Sequence, residues 1–177
     1  SPFFQLYPSA SPPPRLYSRP MTHKNRWFLQ TQITPIDLKK ENNLVNELVT
    51  GLNSEITITV TESDTAAKLG SGLVPVFGTP ALVGLMEAAA VKALEGHLSK
   101  HQTTVGGRID VRHLAATPVG MTVRARAELT TIEGRKLTFQ IEAWDEVEKV
   151  GEALHERFVI DKEKFVARAQ AKSLRGK

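Results

Sequence analysis

Between Ala81 and Val91 the chain is apolar or small at every position but one, and that one is Glu87. A carboxylate on a helix that must be largely buried loses hydration, which raises its pKa and suits it to act as a nucleophile or general base; a nearby donor would keep it ionised. The residues alone allow a second reading, in which Glu87 occupies a narrow polar stripe with Lys92 or emerges at a subunit rim. Thr79 precedes Pro80 and, taken by itself, is a helix N-cap whose hydroxyl satisfies a free amide, a contribution of about 1 kcal/mol. His113 stands at a strand end beside Arg112 and ahead of Leu114-Ala115-Ala116, where an isolated histidine reads as partly buried and structural. His97 and His101 have the i, i+4 spacing of a helical metal pair but no adjacent third ligand, and cations favour a helix C-terminus anyway, so no metal site is assigned. Arg124 and Arg126 read as solvated charges and His155, within Leu154-His155-Glu156-Arg157, as a plain strand residue.

Other chemistries lack their residues. With no cysteine there is no thiol nucleophile, thiolate-bound metal or disulfide framework. Gly-x-Ser-x-Gly, GxxxxGK[ST], a strand-linked GxGxxG and HExxH are also missing.

The elements that must position these side chains follow from period and punctuation. From Glu55, Ile56, Ile58 and Val60 alternate with Thr57, Thr59 and Thr61, the period-2 pattern of a half-buried strand. After Gly70-Ser71-Gly72, Thr79-Pro80 opens a helix that is apolar on nearly all sides and is predicted to end near 97–100. Four strands are predicted beyond it: 104–113; 121–132 after Thr117-Pro118-Val119-Gly120; 136–145 after Glu133-Gly134-Arg135; and 150–160 after Glu146-Val147-Glu148. In the second of these Met121, Val123, Ala125, Ala127 and Leu129 face one way, while Thr122, Arg124, Arg126 and Glu128 face water. A strand, a buried helix and a four-strand antiparallel meander predict an α+β fold, one long central helix wrapped by a curved antiparallel sheet.

The 177 residues fit one domain with tails, and 41% hydrophobic with 24% charged is the composition of a soluble globular chain with no membrane span. The net charge of +4 lies at the ends: residues 1–36 carry four basic residues and no acid, 161–177 carry six against two acids, and 37–160 hold 13 basic against 17 acidic. A nucleic-acid face on the body is therefore not expected. Seven of ten prolines fall in the first 35 residues, so 1–36 is expected as a Pro-rich basic extension, 37–165 as the folded domain and 166–177 as a basic tail. The acid-free N-terminus fits an organelle transit peptide except for Pro12 to Pro14, which would break its helix; the alternative is an upstream extension ahead of a start at Met21. The expected compartment is the cytoplasm, or the mitochondrial or another organelle matrix if 1–36 is such a peptide.

Several motifs together resemble the hotdog-fold thioesterases related to fluoroacetyl-CoA thioesterase. They are Val76-Phe77-Gly78-Thr79-Pro80-Ala81-Leu82-Val83-Gly84-Leu85-Met86-Glu87; Gly106 seven residues before His113; His113-Leu114-Ala115-Ala116-Thr117-Pro118-Val119-Gly120-Met121; Glu133-Gly134-Arg135; and His155-Glu156-Arg157-Phe158-Val159-Ile160 followed by Asp161-Lys162-Glu163-Lys164-Phe165. The resemblance covers about residues 50–165 and implies a catalytic set of Thr79, Glu87 and His113, with the Gly106 backbone helping to hold the thioester carbonyl. It further implies that Thr79 orients Glu87, that His113 polarises the carbonyl or shuttles a proton, and that coenzyme A leaves without metal or bound cofactor. Leu73 and Phe77 fall on the substrate side, and Leu73 stands near the place of the family's lid phenylalanine, so a short-to-medium acyl-CoA is expected rather than fluoroacetyl selectivity. Family members join two sheets with the sites near the interface, so a homodimer or higher homo-oligomer is expected. A non-catalytic acyl-CoA-binding module is the competing reading; a hydratase or dehydratase would need acid and base pairs that this chain lacks.

Overall fold

The computed structural model describes residues 46–175, with side chains to residue 173; the expectations for residues 1–36 lie outside the described residues. The isoleucine alternation forms strand β1, Asn53–Thr59, with Ile56 and Ile58 turned inward and Glu55 and Thr57 exposed. A 3-10 turn at Glu62–Asp64 leads to a short helix α1, Ala66–Leu69, which ends on Gly70 in the left-handed region at φ 70°. Helix α2, Thr79–Lys92, follows, then β2, Gln102–His113, β3, Thr122–Glu133, β4, Lys136–Trp144, β5, Lys149–Asp161, and helix α3, Lys162–Arg175.

All five strands form one antiparallel sheet in the order β1-β3-β4-β5-β2, and α2 packs on it. The expected four-strand meander is corrected to three strands, β3-β4-β5, because β2 pairs with β5 rather than β3. The connection after β2 is drawn along the end of the fold by backbone bonds: Leu114 N–H donates to the Val150 carbonyl, Phe77 N–H to Thr117 and Gly120 N–H to Val60. Thr117, wholly buried, anchors it further by donating to Asp145 at 2.9 Å.

Leu82, Leu85, Met86, Ala89 and Ala90 of α2 are buried against Val123, Ala125, Ala127 and Leu129 of β3 and Leu137, Phe139, Ile141 and Ala143 of β4. Each large side chain so buried contributes about 1.5–3 kcal/mol of transfer free energy. The odd-numbered face of β3 is the dry one, as its alternation predicts.

Three expectations for α2 are corrected. Its N-cap is Gly78, not Thr79, because the chain enters the helix hard against α1: a Cβ on Gly78 would lie 3.0 Å from the Ala66 amide nitrogen. Its last helical residue is Lys92; beyond it Leu94, Glu95 and His97 donate three residues back, and Gly96 turns the chain at φ 78°. His97 and His101 therefore do not share a helix face. The helix is also not covered on most sides, since Pro80, Gly84, Ala88 and Val91 form an exposed small and apolar stripe. Most of the expected basic tail is helical in α3, whose residues 162–170 are exposed.

Candidate active site

The sequence-derived residues gather in two groups. In the first, at the N-terminus of α2, Thr79 Oγ1 lies 2.9 Å from Nδ1 of His113, the last residue of β2. The His113 Nε2 is buried without a hydrogen-bond partner, and Phe77, itself buried, meets the ring edge-on at 6.4 Å between centroids. Burial lowers the His113 pKa below its ordinary 6.5. Thr79 is free to make this contact because the N-cap position belongs to Gly78.

The second group centres on Glu87, two turns further along α2. Its Oε1 lies 3.4 Å from Arg157 Nη1 and 3.4 Å from His155 Nε2, with the side chain 40% exposed while those of His155 and Arg157 are 1% and 6% exposed. Gly106 faces it: a Cβ there would stand 2.5 Å from Glu87 Oε1 and 3.1 Å from His155 Cε1, so any side chain at this position would displace the carboxylate from where it stands. The neighbouring Gly107, at the β-bulge between Gly106 and Arg108, is likewise roofed by the Phe158 ring. Burial is also the main reason the His155 pKa is lowered from 6.5; the Arg108 carbonyl opposes it, the Arg157 charge adds to it, and Glu87 opposes it.

Eight residues of helix rise about 12 Å, so within one chain the Thr79 hydroxyl does not reach Glu87. Within the chain the Thr79 hydroxyl bonds His113 instead. Leu73, expected beside the substrate, lies in an exposed segment and is 97% exposed. Among the described residues no three His, Asp or Glu side chains gather as a metal-ion site. Arg124 and Arg126 lie on the wet face, 3.6 Å from Glu55 and 3.4 Å from Glu128 respectively, and Arg124 stacks over Trp144 at 5.3 Å.

His155 and Arg157 are the residues that sequence reasoning missed. The signal was present: they share the parity of Ala153 and Val159, the core-facing side of β5, where a histidine and an arginine both need partners. Thr104 of β2 supplies one, accepting from Arg157 Nε at 2.9 Å through its hydroxyl and from Nη2 at 3.1 Å through its carbonyl.

A carboxylate rising from a central helix toward a strand glycine, on a five-stranded antiparallel sheet, belongs to the hotdog class of thioesterases. A hot-dog-like protein from Thermanaerovibrio acidaminovorans superposes with TM-score 0.64 at 25% identity, over 70% of this chain and 91% of that one. Residues 60–163 match the family described as fluoroacetyl-CoA-specific thioesterase, FlK, and the chain belongs to that family. It is 45% identical over 101 residues to a fluoroacetyl-CoA thioesterase of Streptantibioticus cattleyicolor, which covers 57% of this chain and 73% of the relative. The solved fluoroacetyl-CoA thioesterase FlK superposes with TM-score 0.68 at 36% identity, over 72% of this chain and 98% of that one.

Proposed function

We propose that the protein hydrolyses an acyl-CoA thioester to the free acid and coenzyme A, with Glu87 as nucleophile or general base. The observation that carries this reading is the half-open Glu87 carboxylate, aimed past Gly106 with a buried guanidinium 3.4 Å behind it. Such a carboxylate is partly dehydrated and reachable, which suits attack on a carbonyl that has little resonance stabilisation. As general base Glu87 takes a proton from water while the oxygen adds to the carbonyl carbon; as nucleophile it adds directly, and water opens the anhydride. Either way the C–S bond breaks and the thiolate leaves as coenzyme A after protonation. His113, whose Nε2 has no hydrogen-bond partner, polarises the carbonyl or relays the proton, Thr79 sets the His113 ring, and the Gly106 amide meets the developing oxyanion.

The relatives are described as acting on fluoroacetyl-CoA, but with Leu73 near the place of the family's lid phenylalanine the substrate proposed here is a short-to-medium acyl-CoA without fluoroacetyl preference. We also propose a homodimer. The exposed stripe Pro80, Gly84, Ala88 and Val91, and β2 at the edge of the sheet, support a second copy lying antiparallel across α2. That arrangement lets the Thr79–His113 pair of one protomer face the Glu87–Gly106 pair of its partner. The test is single-turnover hydrolysis of acetyl- to octanoyl-CoA by wild type and Glu87→Gln. The variant is expected to lose about 100-fold or more in rate with its fold intact, and wild-type turnover in it would overturn the assignment.

A further inference from the structure

We propose that Asp145, on the turn between β4 and β5, is a positioning residue that acts through Thr117 to hold His113 against Thr79; this rests on the reading of His113 as the group that polarises the carbonyl or relays the proton. Asp145 is half-buried, and its two carboxylate oxygens have separate tasks. Oδ1 accepts the amides of Val147 and Glu148, each at 2.9 Å, and so closes the turn. Oδ2 accepts the Thr117 hydroxyl at 2.9 Å. Closing the turn needs only the first oxygen. The second reaches out of the hairpin to a wholly buried residue 28 positions earlier, in the connection that leaves β2.

The surroundings of Thr117 say what that bond fixes. Its carbonyl accepts the Phe77 amide at 2.8 Å, and the adjoining Pro118 bridges to Val76. From the other side Thr65 bridges to Phe77, and the Asp64 carbonyl accepts the Gly78 amide at 2.8 Å. Phe77 and Thr79 flank Gly78, the N-cap of α2, and both meet His113: Phe77 by its ring edge at 6.4 Å between centroids, Thr79 by its hydroxyl at 2.9 Å. His113 is tied to the same hairpin by its own route, since it lies opposite Gly151 and the Leu114 amide donates to the Val150 carbonyl. The hairpin therefore holds both partners of the Thr79–His113 contact, His113 through Val150 and Gly151, and the start of α2 through Asp145 and Thr117. Without the second tie the two partners lose their common frame, and a displacement of about 1 Å between reacting groups is enough to cost a large part of the rate.

The test is a coupling measurement on hydrolysis of the best substrate among acetyl- to octanoyl-CoA by the full chain. Thr117→Val, which keeps the shape and removes the donor, and Asp145→Ala are each made in wild type and in His113→Ala, with folding checked by thermal unfolding. Because Asp145 is half-buried, water can satisfy Oδ2 in Thr117→Val, so the fold is expected to persist. Each substitution is expected to lower kcat about tenfold or more with KM within about threefold, and Thr117→Ser, which keeps the donor, to stay within about twofold of wild-type kcat. In the His113→Ala background both are expected to change kcat less than about twofold, because their effect passes through the lost imidazole. Equal losses in both backgrounds, or wild-type kcat in both single variants, would overturn the proposal while leaving His113 in place. Wild-type turnover in His113→Ala would overturn the His113 reading and this inference with it. If Thr117→Val does not fold, Asp145→Ala decides by the same comparison, and loss of the fold in both would reduce the pair to a structural tie and overturn the proposal.

Discussion

Gly106 carries two separable demands: the proposed mechanism asks its amide for an oxyanion contact, and its missing side chain makes room for Glu87. Gly106→Ala leaves the amide in place but sets a methyl 2.5 Å from Glu87 Oε1, on a strand whose backbone is tied to β5. The carboxylate must rotate away from Arg157, so kcat for acyl-CoA hydrolysis is expected to fall about tenfold or more while far-ultraviolet circular dichroism stays unchanged. Wild-type kcat in Gly106→Ala would show that the carboxylate adjusts at no cost. The histidines add a pH effect on stability. Burial depresses both the His113 and the His155 pKa below 6.5, so on acidification the unfolded chain takes up protons before the folded one does. The stability they contribute is complete above about pH 6.5 and is lost as the pH falls toward their depressed values. The drop in Tm between pH 7.5 and 5.0 is therefore expected to shrink in a His113→Gln/His155→Gln variant, and an unchanged drop would contradict the shifts. At this scale the sequence was informative where a residue type was anomalous: Glu87 stood out because nothing else near it carries charge. Thr79 was misassigned in its local bond because its partner, His113, is 34 residues away, and propensity sees only neighbours.

The strands were legible because their period and turns are local: the four predicted after the helix lie within two residues of β2 to β5 at every boundary. Their order was not legible. A β2 that pairs with β5 has the same alternation as a β2 that pairs with β3, and the choice rests on contacts such as Leu114 to Val150 that span the fold. The end of α2 was overextended for a related reason: Ala93 and Leu94 continue the apolar pattern and are buried, but in three-residue turns rather than helical ones. The close seating of α2 on the sheet depends on Gly151 of β5, where a Cβ would meet Leu82 Cδ2 at 2.9 Å, Met86 Cε at 3.1 Å and the Arg112 carbonyl at 3.3 Å. Two of these neighbours are buried side-chain ends in a packed core and the third is backbone, so they have little room to yield. Gly151→Ala is therefore expected to destabilise the fold by about 1–3 kcal/mol, read as a lower Tm or denaturation midpoint. No loss of stability would mean that the helix can ride outward freely.

For the whole molecule the question is whether the two groups of site residues act within one chain or across two. About 12 Å of helix separates Thr79 from Glu87, while the Thr79–His113 bond and the Gly106–Glu87 approach are both made within a single chain. If a second copy lies antiparallel along the exposed Pro80, Gly84, Ala88 and Val91 stripe, each complete site takes one group from each protomer. Complementation then separates the arrangements. A protomer carrying Thr79→Ala/His113→Ala and one carrying Glu87→Gln are each inactive as homodimers. Mixed after dissociation and reassociated at equal amounts, they give heterodimers in which one site unites both defects and the other is wholly wild type. With half of the dimers mixed, about a quarter of all sites are restored, so activity is expected to recover to about a quarter of wild type. If each site were built within one protomer, every site in the heterodimer would keep a defect and the mixture would stay inactive. Light scattering on the same samples closes the loophole: a species of single-chain mass at micromolar concentration would remove the dimer itself, whereas a dimer without recovery would confine the chemistry to one chain and require α2 to bring Thr79 and Glu87 to the substrate from two turns apart.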